Sequence, residues 1–484
     1  MNCAGKTCAT ETASSKFTAA LEFLAYLILV AAASFCFLMR EISSNQAGIL
    51  TLVMLVALIG LAWKRFDGGR HPCFLFLGML TLFQAGRVIA YCAGGGTDIF
   101  QITSIASHPF DVSRDALGLV LLSVALSAIC IYAPCRWNYR STSSPRGGTF
   151  EPLLPYLYLL LALSMPVQLY KNFGYYEYAQ AHGGYLVLFL DHGGMAASVP
   201  MVVRAVSLIS LPAFVGIFIL ENRKKFRRLA TGAYFLVTAP VLLTGSRGTI
   251  FCLILTLSYV AKVKSGKRAR LHSIAFFAAG IILLASLIGS LRAVSAESGA
   301  LDAPSAFFAN QGASLVVTEI AVAYRPRFAP SFASYLANEL EAAFVAGDQA
   351  HYIPGKRFSD DVSMFLNSSA YQMGQGCGSA YLAEAYLAGG LFGVVLISAL
   401  LGLLLHEMHA HSGQPFQLFL VAMVLPDVLW MARGGLLDWL SVSVRVGISA
   451  LLLLIGWHIY RLAASLGKLW MQSLNLHEAA LHKA

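Results

Sequence analysis

Charge is what this sequence has least of. Only 12% of its 484 residues are Asp, Glu, Lys or Arg, where a soluble globular chain carries about 25%. So small a supply excludes a water-soluble fold of this size. Paired cysteine motifs are missing too. The nine cysteines include no C-x-x-C, and Cys36, Cys73, Cys130 and Cys252 lie inside apolar runs, where cysteine acts as a small hydrophobe. No disulfide framework is visible. The N-terminal "MNCAGKTCATETASSK" has no basic n-region and no A-x-A cleavage signal in the right place. It therefore reads as a short cytoplasmic tail and not as a signal peptide. The net charge of +10 comes without a base-stacking motif or a basic arm, so nucleic acid is not an expected partner. Internal repeats and low-complexity segments are absent.

Long apolar runs are what the chain does have. Runs of about 17–25 residues, each bounded by charge, glycine or proline, recur along the whole length, which is the signature of a polytopic helical membrane protein. Spans are expected near 18–38, 47–63, 73–92, 116–134, 153–169, 203–220, 229–244, 247–262, 271–291, 379–405, 415–432 and 441–461. The fold class is thus all-α with about 12 transmembrane helices, a single membrane-embedded domain over 1–484. The basic residues concentrate in "WKRFDGGR", "CRWNYRSTSSPR", "ENRKKFRR" and "AKVKSGKRAR", which are alternate loops. Those loops are expected in the cytoplasm, and with an even number of spans both termini join them.

Parity then assigns the remaining charges. The apolar stretch from Leu229 to Ala261 starts and ends at cytoplasmic loops and is too long for one span, so it reads as a tight helical hairpin. Gly245 and Gly248 make its turn, with Arg247 at the outer tip. Two long outer loops follow, 170–202 and 292–378, the second between the ninth and tenth spans; loops of that length are usually functional. Within the second, "FASYLANELEAAF" puts Phe332, Tyr335, Leu336, Leu340 and Phe344 on one helical face, which suits either an amphipathic surface helix or a plain packing helix.

Outer-side cations run against the positive-inside bias. Several are ordinary anchors at span ends; Arg247, Arg292 in "GSLRAVS", Lys356 and Arg357 in "IPGKRFSDD", and Arg433 in "WMARGGLLDWL" stand out by context. Guanidinium groups suit a diphosphate because their planar fork binds it bidentately. Glu384, in "GSAYLAEAYLAGGLFG", starts a span at the outer face and is the first candidate for a general base. Glu319, Asp361 and Asp438 are weaker candidates. "HEMHAH" (His406, His409, His411) lacks the H-E-x-x-H register and is expected in a solvated cytoplasmic loop, so no metal is assigned.

The order "TGSRGTI", long late outer loop, "GSAYLAEAYLAGGLFGVV", "ARGGLLDWLSVSVRV" resembles the Wzy-type oligosaccharide repeat-unit polymerases of Gram-negative bacteria, which include the O-antigen and enterobacterial common antigen polymerases. The resemblance covers roughly 230–450, and the R-x10-G pattern of some members is absent among the outer arginines. It places the family's glycine-flanked arginine on Arg247, its next outer arginine on Arg292, its acidic residue on Glu384 and its late Arg-x-Gly segment on Arg433. It implies a GT-C-like glycosyltransferase of the bacterial inner membrane, without cofactor or metal. Its substrates would be undecaprenyl-diphosphate-linked glycans at the periplasmic face, with membrane lipids, a chain-length regulator and a flippase as partners. O-antigen surface polysaccharide, capsule and exopolysaccharide remain alternative products. Two other functions stay open: an O-antigen ligase, for which His351 would be the loop histidine, and a lipid-linked oligosaccharide flippase or transporter.

Overall fold

The computed structural model describes residues 4–94, 99–100, 112–137, 139, 151–182, 198–243, 248–268, 280, 303–344, 352–373 and 376–481. Regular structure among these residues is helical throughout. In chain order the α-helices of five residues or more are α1 Ala4–Leu38, α2 Ser44–Arg65, α3 Pro72–Gln84, α4 Gly86–Cys92, α5 Arg114–Trp137, α6 Leu154–Ala181, α7 Met201–Ser207, α8 Ser210–Leu220, α9 Lys224–Leu243, α10 Gly248–Ser265, α11 Ala303–Gln311, α12 Ala313–Ala323, α13 Phe332–Phe344, α14 Phe358–Leu366, α15 Ser368–Gln372, α16 Tyr381–Ala410, α17 Pro415–Trp430 and α18 Asp438–Leu481.

Seven of these segments are long and apolar enough to cross a membrane, or eight if the bent pair α3–α4 is one span. Fewer helices pass than the twelve expected, and the reasons are local. α9 spends its first turns on Lys224, Lys225, Arg227 and Arg228. α17 has only 16 residues, about 24 Å at 1.5 Å per residue. The expected span 271–291 falls almost wholly outside the described residues. One apolar segment was not expected: Ser305–Ala323, inside the 292–378 loop, is 72% buried over its most apolar stretch. α12 is there packed against α16 and α5.

Local sequence sets the helix boundaries. At α2, Ser43 and Gln46 form a reciprocal capping box: the Gln46 amide donates to Ser43 Oγ at 3.2 Å and the Ser43 amide to Gln46 Oε1 at 2.7 Å. Pro72 opens α3, where its missing N–H costs nothing. α16 is broken at Gly389 and Gly390, and the φ of +63° at Gly390 is open to glycine and strained for other residues. The break separates the short helix that carries Glu384 from the long one that packs along α5, where the backbone of Ile131 leaves no room for a side chain at Gly402.

All four basic loops meet at one end of the bundle. Tyr139 donates to Asp67 at 2.9 Å, Arg268 pairs with Asp67 at 2.8 Å, and Lys264 donates to the Phe218 and Glu221 carbonyls. Arg65 and Arg136 both approach Glu22 near the start of the first span. The alternation read from the sequence thus appears as a shared end. At the opposite, far end, α12, α14 and the start of α16 enclose a second apolar core of Val316, Val317, Ile320, Phe358, Val362 and Ala383.

Candidate active site at the far end

The site is built around the turn Arg433–Asp438, which links α17 to α18. Three consecutive backbone N–H groups there donate to three carboxylates from three parts of the chain. Gly435 donates to Asp438 Oδ2 at 2.7 Å, Leu436 to Glu384 Oε2 at 2.7 Å, and Leu437 to Glu339 Oε2 at 3.0 Å. The pair of glycines makes this possible. A Cβ on Gly434 would lie 2.7 Å from Asp438 Oδ2, and one on Gly435 would lie 2.5 Å from Glu339 Oε1.

The three carboxylates differ in access. Glu384 is 2% exposed at the N-terminus of the short helix, where the helix dipole favours an anion. Its second oxygen accepts from Ser379 Oγ at 2.5 Å, so both oxygens are occupied. Glu339, on α13, is half-buried, and Asp438 is exposed. Burial first, and the Asp438 carboxylate second, push the Glu339 pKa up to about 7, against the opposing pull of the Leu437 N–H and Arg357. Glu339 therefore changes charge near neutral pH.

Cations flank the cluster. Arg433 donates from Nη1 to Gln311 Oε1 at 2.9 Å, with its guanidinium 5.6 Å from the Phe83 ring centre and 5.9 Å from that of Trp430. This fixes it between α11, α3 and α17. Arg87 comes to the same place, its backbone and Cγ leaving no space for a side chain on Gly312. Arg357 stands at the N-cap of α14, within electrostatic reach of Glu339, Asp360 and Asp438. Lys356 precedes it in a tight turn, where Gly355 takes a φ of +74°. Asp361 holds that turn together, accepting from Tyr335 at 2.6 Å, Tyr352 at 3.0 Å and the Gly355 amide at 2.9 Å. That makes Asp361 a clasp.

The structure thus brings Glu384, Arg433, Arg357 and Asp438 to one end, with Lys356 beside them. Arg247, Arg292 and His351 lie outside the described residues. Gly248, next to Arg247 in sequence, abuts Trp430 so closely that no side chain fits there. Glu319 is fully buried on α12, one residue from the Thr318 hydroxyl that donates to Gln84 at 3.1 Å. Among the other outer cations, Arg114 serves the Phe37 and Ile42 carbonyls and stacks on Phe37, as an anchor does.

Sequence reasoning missed Glu339 and Arg87. Glu339 had a readable signal: it lies four residues after Tyr335, which places it on the buried face of α13. Tyr335 is 2% exposed, whereas Leu340, placed on the apolar face, is 40% exposed. α13 packs against the start of α18 and against α16, which matches the packing-helix reading.

The family model for O-antigen polysaccharide polymerase Wzy matches residues 20–461. The chain belongs to this family. No curated protein and no solved structure matches it. Wzy membership makes the chain an O-antigen polymerase at the general level and a multi-pass membrane protein, and it extends the likeness over the first half of the chain. Arginines and carboxylates, side chains able to meet an anion and to accept a proton, stand together at the far end of this Wzy-family chain.

Proposed function

We propose that this cluster joins undecaprenyl-diphosphate-linked oligosaccharide repeat units at the periplasmic face of the inner membrane. The observation that carries the reading is the Arg433–Asp438 turn, which presents a guanidinium and gathers three carboxylates within six residues. The basic loops at the opposite end support the orientation, because Lys and Arg are retained on the cytoplasmic side.

In the reaction, a hydroxyl of the incoming repeat unit attacks the anomeric carbon of the growing chain. The new C–O bond forms as the bond from that carbon to the lipid diphosphate breaks. Arg433, Arg357 and Lys356, joined by Arg247 and Arg292 through the family likeness, take up the charge developing on the diphosphate. The hydroxyl proton passes to a carboxylate. Glu339 suits that step better than Glu384: it is more accessible and holds its proton with a pKa of about 7. Glu384, with both oxygens engaged, positions the turn that carries Arg433.

Polymerisation of purified lipid-linked repeat units in proteoliposomes tests this division. Glu384→Gln can keep both contacts, its amide oxygen facing Leu436 N–H and its NH2 facing the Ser379 oxygen. It should retain most activity, whereas Glu339→Gln should lose about 10²–10⁴-fold. The reverse ranking, in well-inserted proteins, would return the base to Glu384. Lipid-linked polymer formed equally well by both variants would remove the carboxylate base.

A further inference from the structure

The basic end holds a cluster that polymerisation does not use. His71, Cys73 and Cys135 are buried, and their ligand atoms all lie within 4.8 Å of one another. His71 caps α3 and accepts the Cys73 amide at Nδ1, 3.1 Å away. Its Nε2 is buried with no hydrogen-bond partner. Two more imidazoles from the end of α16 face it. The His409 ring centre lies 4.5 Å from that of His71, and the His406 ring is stacked at 6.3 Å. The "HEMHAH" stretch, read from sequence as a solvated loop, thus turns two of its histidines inward. His409 is 2% exposed, whereas His411 is exposed and faces Glu407.

We propose that His71, Cys73 and Cys135 form a structural site for a soft divalent transition metal of the zinc class, with His409 completing a tetrahedral set. Two thiols and two imidazoles are the donor set such an ion takes, and a buried, closed set is the structural kind. Both thiols release their protons on binding, and the two thiolate charges neutralise the ion. Nε2 of His71 is the open nitrogen. Binding there moves the ring proton to Nδ1 and gives up the Cys73 cap bond, a small loss beside metal–thiolate coordination. His409 reaches the ion by rotating its ring. The site would tie α3, α5 and α16 together at the end opposite the polymerase cluster, where a reducing cytosol keeps the thiols free.

The test uses the full chain purified in detergent, stripped with chelator and then titrated with Zn2+ or Co2+ alone. One equivalent of Zn2+ should survive gel filtration. Co2+ should give thiolate-to-metal charge-transfer absorbance together with the d–d bands of a tetrahedral site. C73S/C135S should lose the bound equivalent, and His409→Ala should shift the cobalt bands. Absence of charge-transfer absorbance in the wild-type chain would overturn the proposal without reference to any variant. So would equal metal content in the wild type and C73S/C135S.

Discussion

At the basic end Glu22, Asp67 and Glu221 are gripped by guanidinium groups: Arg65 and Arg136, Arg268, and Arg223 in turn. At the far end Glu339, Glu384 and Asp438 are held by the main-chain N–H groups of a single turn. An acid held by an arginine has its charge consumed and its counter-ion spent on the fold. The far-end Arg433 is engaged by a neutral amide and two rings instead of a carboxylate, donating to Gln311 and lying against Phe83 and Trp430, and one acid close to another is kept partly protonated. The same residue types thus build ion-paired struts at one end and, at the other, the amide-held cluster proposed to carry the reaction. The comparison warns against reading a buried carboxylate in a membrane protein as catalytic from burial alone. Its partner decides.

The sharpest way to break this contrast is to remove one arginine from each end. Arg433→Ala should abolish polymer ladders while the protein still inserts, and Arg433→Lys should restore little, because a point charge cannot reproduce a bidentate contact. Arg268→Ala should leave ladders intact, since its side chain is 74% exposed and such surface pairs contribute about 0–1 kcal/mol. Gel banding of complemented deletion strains reads both. Equal loss in the two variants would erase the difference between the ends.

The second test concerns charge. A base with a pKa near 7 is active only when deprotonated, so wild-type turnover in proteoliposomes should rise with pH through about 7. Glu339→Gln should remove that limb along with most of the rate. An unchanged limb in the variant would assign the titration to another group.

A smaller effect sharpens the geometric side. Gly435→Ala drives a methyl into Glu339 Oε1 and toward Asp438, displacing carboxylates from their amides. Overpacking of this kind costs about 1–3 kcal/mol, which corresponds to roughly 5–150-fold in rate if it falls on the site. Gly447→Ala, in open space on α18, is the control. Equal turnover in the two would show that the turn tolerates the shift.

How much of this was legible follows from the periods involved. Apolar runs and basic loops act over twenty residues, so the all-helical membrane class, the shared basic end and the isolated charges Arg433 and Glu384 could be read directly. The span count could not: seven or eight segments among the described residues, Ser305–Ala323 included, are long and apolar enough to cross where twelve spans were expected. The Glu339 contact joins residues about a hundred positions apart through one backbone N–H, so the spacing from Tyr335 marks its helix face but not its partner. Arg87 was invisible for a similar reason: it follows the 66° bend between α3 and α4 and meets Gly312, more than two hundred residues on. The His71–His409 pairing needed a fold as well, because "HEMHAH" alone has the look of a polar loop.

The mildest test belongs to the strut end. Glu221 is 2% exposed and accepts from Arg223, from the Arg223 amide at 2.7 Å and from Tyr158 at 2.8 Å. The Arg223 hydrogen bond is the largest cause of its pKa falling to about 2, with burial opposing. A folded-state pKa below the unfolded value, about 4.3 for Glu, means the ionised form is the stabilising one. That stability is complete above the unfolded pKa and is lost as pH falls through the window from about 4.3 to about 2. The Arg223 side chain is 64% exposed, so solvent screening limits its share. Glu221→Gln should therefore lower stability by only about 1–2 kcal/mol at neutral pH, read as a fall in melting temperature in detergent, and should flatten the acid dependence of that temperature. Polymer ladders should be unchanged. A ladder defect in a well-inserted Glu221→Gln protein would mean that the basic end is coupled to the reaction after all, and that its ion pairs do more than brace the bundle.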